Sequence, residues 1–379
     1  MVKKTTYIKR AIESGISEDL DQKMVFIGGP RQCGKTTLAR HIAQNRSHHA
    51  AMYYNWDVAV DRSIIIKETF PQEAKTLILD EIHKFRRWRQ VVKGLYDSRG
   101  QDLAIIVTGS ARLDHYRRGG DSLQGRYHYH RLFPLALPEV GGKQSDLEAL
   151  LRFGGFPEPF TLGSELQSRR WSRDYLSRVI DTDLRDLERV MDLALVQLLA
   201  TRMPALVGFP LSVNALREDL QVSHQTCSRW VQLLENIYQI FRIYPFGQPT
   251  IKAVKKEPKH YHFDWTLVEQ PGPRFENIVA CQLFAWCCNK QDSEGLEYTL
   301  CYFRTVDKKE VDFVICLKGK PVQFIECKCS SLSIDDGLRY LKKKYPHIPA
   351  TQLVLDTTEN FINKDGIRIC NAALFLKDW

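Results

Sequence analysis

Gly29-Pro30-Arg31-Gln32-Cys33-Gly34-Lys35-Thr36 stands between Met24-Val25-Phe26-Ile27, an apolar run that reads as a buried strand, and Thr37-Leu38-Ala39-Arg40-His41-Ile42, which reads as a helix. That is a phosphate-binding loop in the context its chemistry requires. Two glycines let the backbone fold around a triphosphate, and the helix start aims its free N–H groups at the phosphates. Residues 29–37 are therefore the expected ATP contacts: Gly29, Pro30, Arg31, Gln32, Cys33, Gly34, Lys35, Thr36 and Thr37. Lys35 adds a mobile positive charge, and the Thr36 hydroxyl is an expected Mg²⁺ ligand.

Working outward, Thr76-Leu77-Ile78-Leu79-Asp80-Glu81 is an apolar strand ending in two carboxylates. The expected division of labour gives Asp80 the magnesium shell and Glu81 the attacking water. Leu103–Val107 is a further strand that ends in Thr108-Gly109-Ser110, and Ser110 or Thr108 is the candidate sensor of the γ-phosphate. Arg126, before the alternating run Tyr127–Phe133, is the candidate arginine finger, acting on its own nucleotide or on a neighbouring subunit's. Upstream, Tyr7, Ile8, Ala11, Ile12 and Ile16 fall at helical spacing, which predicts an amphipathic helix beside the nucleotide. Arg86-Arg87-Trp88-Arg89 reads either as a basic contact patch or as the solvated side of a helix that buries Trp88.

The fold class is α/β. A parallel-sheet P-loop domain of the additional-strand type is expected over residues 1–150, a helical linker and winged helix over 151–258, and a second α/β domain over 259–379. Within the middle segment, Ser212–Leu220 and Ser223–Glu235 read as a helix-turn-helix whose second helix is capped by Ser223, with His224, Gln225, Ser228 and Arg229 facing out. The strand Ile240–Tyr244 and Lys252, Lys255, Lys256 and Lys259 then suggest a positively charged wing, suited to DNA or to docking a protein partner.

The tail holds a second constellation. Asp312 lies in Glu310–Ile315, and Glu326 and Lys328 share one face of the strand Phe324–Lys328. Glu276, on the preceding helix, is the fourth member. Such a set can hold Mg²⁺ through Glu276, Asp312 and Glu326 and use Lys328 to orient water for phosphodiester cleavage. The alternative is a pair of charged strands kept for shape.

The form GGPRQCGKTTL, the LILDEIH strand, the TGSA strand end, the GGFPE break and the tail KHYHFDW…FENIV…EVDF…ECK together resemble one family. These are prokaryotic AAA-type ATPases in which a winged helix and a PD-(D/E)xK nuclease-like, restriction-endonuclease-like domain follow the ATPase. The resemblance implies nucleotide-site roles for Lys35, Thr36, Asp80, Glu81 and Ser110, and nuclease-like positions at Glu276, Asp312, Glu326 and Lys328. Cys33 stands where an aliphatic residue is common, and Val311 where the motif's name has proline.

Composition narrows the classes further. Ten cysteines at irregular spacings, without a CxxC pair or a preceding signal pattern, read as reduced thiols of a cytoplasmic protein. His128/His130 and His260/His262 alternate as sheet-surface residues would. No apolar run is long enough to span a bilayer. A net charge of +9 suits an acidic partner such as nucleic acid, and a homo-oligomer is an open option.

Overall fold

The computed structural model describes residues 7–47, 50–100, 102–109, 123–184, 192–247 and 257–379. Ser110 and Lys252, Lys255 and Lys256 lie outside the described residues. The chain divides into two compact units, 1–134 and 135–379. The first ends short of the expected boundary at 150.

In the first unit, α1 (Glu13–Asp19) precedes β1 (Met24–Gly28), α2 (Lys35–Ser47), β2 (Ala51–Asn55), α3 (Ala59–Lys67), β3 (Thr76–Asp80), α4 (Trp88–Arg99), β4 (Ala104–Thr108) and β5 (Tyr127–Arg131). The strands are all parallel and lie in the order β2-β3-β4-β1-β5. Every residue of β1 and β3 is buried, as expected of a parallel sheet covered on both faces. One side is filled by Phe26, Leu77, Leu79, Trp88, Val92 and Val107. The consequence for the site is positional. Because β4 lies between β1 and β3, Thr108 is in register with Ile27 on one side and with Asp80 on the other.

In the second unit, α5 (Gln144–Phe153), α6 (Glu165–Arg178) and α7 (Leu193–Arg202) lead to α8 (Val213–Leu220) and α9 (His224–Asn236). The latter two form the expected tight helix pair. Ser223 caps α9 by accepting the Thr226 amide, while Leu216, Leu220, Trp230, Leu233 and Leu234 are buried. β6 (Ile240–Pro245), β7 (Lys259–His262), α10 (Pro271–Glu294), β8 (Tyr298–Arg304), β9 (Glu310–Leu317), β10 (Lys320–Lys328), α11 (Asp336–Lys344), β11 (Ala350–Val354), β12 (Asn360–Ile362) and β13 (Arg368–Asn371) follow. The strands share one mixed sheet, ordered β12-β13-β11-β10-β9-β8-β6-β7.

That shared sheet changes two expectations. β6 pairs with β7 and also with β8, so the strand expected in a wing is continuous with the tail's sheet, and no boundary falls at 258/259. β7 is buried along its whole length. Lys259, His260 and His262 are all 0% exposed, which overturns the surface reading of these residues and takes Lys259 out of any wing. Both faces of the strand are covered: Tyr261 and Phe263 pack on Phe241, and on the opposite face His260 Nε2 lies 2.9 Å from the Met203 carbonyl. His130 is likewise buried, with Nε2 2.6 Å from Asp19 Oδ2.

Candidate functional site

The loop after β1 takes a shape that its sequence permits. Gly29 has φ +132°, and a Cβ there would lie 2.1 Å from the Leu132 carbonyl oxygen, so only glycine fits. Arg10, buried ahead of α1, donates from Nη1 to the Cys33 carbonyl at 2.9 Å and from Nη2 to the Phe133 carbonyl at 2.6 Å. The N-terminal arm is thereby tied to the loop. Lys35, the first residue of α2, is buried and donates to the carbonyls of Gly29 at 3.0 Å and Pro30 at 2.6 Å.

Asp80 collects three hydroxyls. Thr36 Oγ1 and the Tyr53 hydroxyl each donate to its Oδ2 at 2.8 Å, and Thr108 Oγ1 donates to its Oδ1. Burial and the Asp80 hydrogen bond push the Tyr53 hydroxyl up to about 12, so it remains a donor at neutral pH. Glu81 follows in a left-handed conformation, φ 55°, with its amide donating to the Thr108 carbonyl at 2.9 Å. Its Oε2 lies 3.6 Å from His83 Nε2 and 3.5 Å from Lys84 Nζ. Burial raises its carboxyl above the usual range, against the pull of Lys84 and Lys35. A non-glycine residue in this conformation stores strain of the kind found at functional sites.

Residues 21–141 match the AAA domain family. This segment is similar to AAA domains in sequence. Residues 144–270 and 271–375 match two families described as domains of unknown function, DUF8612 and DUF4143. An uncharacterised protein of Mycobacterium tuberculosis is 24% identical, over 83% of this chain and 73% of its own length. One from Methanocaldococcus jannaschii is also 24% identical, over 76% and 73%. Among solved structures, the Thermotoga maritima RuvB Holliday junction branch migration motor is 18% identical over 61% of this chain and 86% of its own, with TM-score 0.30. AMPPCP-bound DnaA from Aquifex aeolicus is 14% identical over 61% and 89%, also with TM-score 0.30. Those scores are too low to extend the assignment.

The first unit brings Lys35, Thr36, Asp80 and Glu81 to one end of its sheet, together with Thr108. Arg126 is elsewhere. Its carbonyl accepts the Met24 amide at the start of β1, so it sits about 13 Å of strand, at ~3.3 Å per residue, from the loop. Its guanidinium is held by Asp97, Nε to Oδ1 at 2.8 Å. Arg126 thus lies at the opposite end of β1 from the loop. Two residues that sequence reading underused are Tyr53 and Thr108. Strand register was the signal that could have singled out Thr108.

In the second unit, Glu276, Asp312, Glu326 and Lys328 do converge, beside a cleft of about 500 Å³ lined by Lys309, Glu310, Asp312, Glu326, Lys328 and Asp335. The arrangement is not the one expected. The buried Lys259 ammonium lies 2.6 Å from Glu310 Oε1, 3.0 Å from Glu276 Oε1 and 3.4 Å from Asp312 Oδ1. Lys328 donates to Glu326 Oε1 at 2.7 Å and to Asp335 Oδ2 at 3.0 Å. The remaining oxygens accept backbone amides: Glu326 Oε2 from Asp312 at 3.1 Å, and Asp312 Oδ2 from Cys327 at 3.0 Å. Among the described residues, no group of three or more carboxylate, histidine or cysteine side chains is arranged to hold a metal ion. The carboxylates expected to be metal ligands are engaged by lysines and backbone amides.

Burial sets the protonation of this cluster. It raises Asp312 to about 6, with Glu276 adding to the rise and Lys259 opposing it, and it raises Glu326 well above the carboxylate range. Burial alone would lower Lys259, but Glu276, Asp312 and Glu310 outweigh it and hold the ammonium charged. Sequence reading missed Lys259, Glu310, Asp335 and Tyr261, whose hydroxyl donates to Glu276 Oε1 at 2.6 Å.

Proposed function

We propose that this protein binds and hydrolyses ATP with Mg²⁺ in its first unit and uses the cycle to govern contacts of its second unit with nucleic acid. The observation that supports this most is the convergence of the Thr36, Thr108 and Tyr53 hydroxyls on Asp80 beside the glycine-rich loop. Thr36 and Asp80, hard oxygen donors already 2.8 Å apart, fit Mg²⁺. When bound there, the ion would neutralise charge on the β- and γ-phosphate oxygens.

The chain's own residues supply the rest. Lys35 exchanges the neutral carbonyls of Gly29 and Pro30 for phosphate oxygens, because an anionic oxygen attracts the ammonium more strongly than a neutral carbonyl does. Glu81, its carboxyl raised by burial, takes a proton from water as the new O–P bond forms and the bond to ADP breaks. Thr108 fixes the orientation of Asp80 from the neighbouring strand.

The helix pair α8–α9, with His224 and Gln225 exposed at the start of its second helix, supports nucleic acid as the second unit's partner. A second reading, docking to a protein, is favoured by the burial of Lys259, which leaves a smaller positive surface than the sequence implies. ATP turnover in Mg²⁺ against EDTA, with and without single- and double-stranded DNA across a salt series, tests both parts. Turnover that needs Mg²⁺ and a DNA affinity that falls with salt are expected. Mg²⁺-dependent turnover with no salt-dependent DNA affinity keeps the ATPase and replaces the partner with a protein.

A further inference from the structure

We infer that Lys259 is the resident cation of the second unit's carboxylate cluster, standing in for a divalent metal, so that this unit holds no catalytic metal. The inference is independent of the ATP site. It concerns a set of residues whose types, read from the sequence, imply Mg²⁺ and whose arrangement does not.

The accounting is nearly complete atom by atom. An ammonium has three N–H donors. Those of Lys259 are matched by Glu310, Glu276 and Asp312, one oxygen each, within 3.4 Å. Glu310 gives its other oxygen to Arg304 at 3.0 Å. Asp312 and Glu326 give their second oxygens to the Cys327 and Asp312 amides, which locks β9 to β10. Asp335 accepts the Gly337 amide at 2.8 Å on the oxygen that Lys328 does not use. Glu276 Oε2 is the exception, and it packs against Gly208, where a Cβ would stand 3.1 Å from it. At every other oxygen a divalent ion would have to share or displace a donor that is already in place.

Displacement is also blocked. Lys259 is 0% exposed on a buried strand, so a metal taking its three oxygens would leave the ammonium uncompensated in the interior. Gly337 reinforces the geometry. A Cβ there would lie 1.9 Å from the Glu310 carbonyl oxygen, so α11 packs directly on the start of β9 and holds Glu310 in place. The cluster joins β7, α10, β9, β10 and α11 through buried and half-buried ion pairs. Nucleic-acid contact by this unit, if it occurs, is then independent of divalent metal and non-cleaving.

The test is Mn²⁺ binding, followed by electron paramagnetic resonance, to the full-length protein without nucleotide. An Asp80→Asn background removes the cation site of the first unit. The expected result is no binding tighter than about 1 mM, and no change when Asp312→Asn is added. Lys259→Met in the same background is expected to gain about tenfold or more in Mn²⁺ affinity, and to lose that gain with Asp312→Asn. Sub-millimolar binding to the Lys259-containing protein that Asp312→Asn abolishes overturns the inference. So does a folded Lys259→Met protein that gains no affinity. Should Lys259→Met fail to fold even with Mn²⁺, the comparison with and without Asp312→Asn decides by itself. No difference supports the resident ammonium, and a loss of binding refutes it.

Discussion

Lys35 and Asp80 of the first unit meet neutral partners, carbonyls and hydroxyls, whereas Lys259 and Asp312 of the second meet each other. The same residue types thus give opposite properties. A charge satisfied by dipoles can be won over by a charged ligand, since the attraction between two charges exceeds that between a charge and a neutral dipole. A charge satisfied by a buried counter-charge is committed to structure, because separating the pair exposes both partners to the interior. The first cluster should therefore give up function on mutation and the second stability.

The largest expected effect follows from that contrast. Lys259→Met should destabilise the second unit by about 3–5 kcal/mol in urea unfolding, leaving three carboxylates without their cation. Lys35→Ala should change the stability of the first unit by no more than about 1 kcal/mol. Similar losses for the two lysines would break the comparison.

Acid sharpens it. Burial holds His260 at about 4 against 6.5 in the unfolded chain, and holds His262 well below 6.5. Above 6.5 neither state carries the proton. As pH falls from 6.5 towards 4 only the unfolded chain takes it up, so folding stability drops, by up to about 3 kcal/mol for His260. Asp312 runs the other way between 3.8 and about 6, because the folded state holds that proton, and it offsets part of the loss. Neither ring nitrogen of His262 has a hydrogen-bond partner of ordinary geometry, and the Met203 carbonyl nearby opposes the fall only in part. His262→Phe should accordingly flatten the acid limb and cost little at pH 8, as read by thermal melts across pH. An unchanged acid limb would show that the histidines are not its source.

Next in size, Lys35→Ala should weaken ATP binding about 100-fold, near 2.7 kcal/mol, in equilibrium titration with a fluorescent nucleotide. The smallest effect belongs to Arg126. Because it sits at the far end of β1 on Asp97, in a solvent-exposed ion pair, Arg126→Ala should leave turnover within about twofold at low protein concentration. A deficit that grows with protein concentration would assign it to a neighbouring copy's nucleotide.

What the sequence made legible follows the range of the interactions. The loop at 29–36 and the Asp80-Glu81 pair are local patterns, a strand followed at once by its functional turn, and their placement needed only the parallel sheet. Thr108 reads from the sequence, beside Ser110, as a candidate sensor, but its bond to Asp80 depends on β4 lying between β1 and β3, that is, on strand order. Lys259 was harder. It ends a lysine-rich stretch and so looks like surface, yet it also starts Lys259-His-Tyr-His-Phe-Asp-Trp265, a run too aromatic to stay in water. Its partners Glu276 and Glu310 come from a helix and a strand far along the chain. D…ExK spacing reports which residues share a face. It does not report whether a lysine from another strand has already taken their charge.

The account rests most directly on Glu81. Nucleotide affinity and single-turnover hydrolysis should be measured side by side for Glu81→Gln in Mg²⁺. ATP binding within a few-fold of the parent, with hydrolysis slowed about 100-fold or more, is the predicted result, since the phosphate cradle and Asp80 stay intact while the proton acceptor is lost. Parent-like hydrolysis, or a loss of binding as large as that of Lys35→Ala, would contradict it.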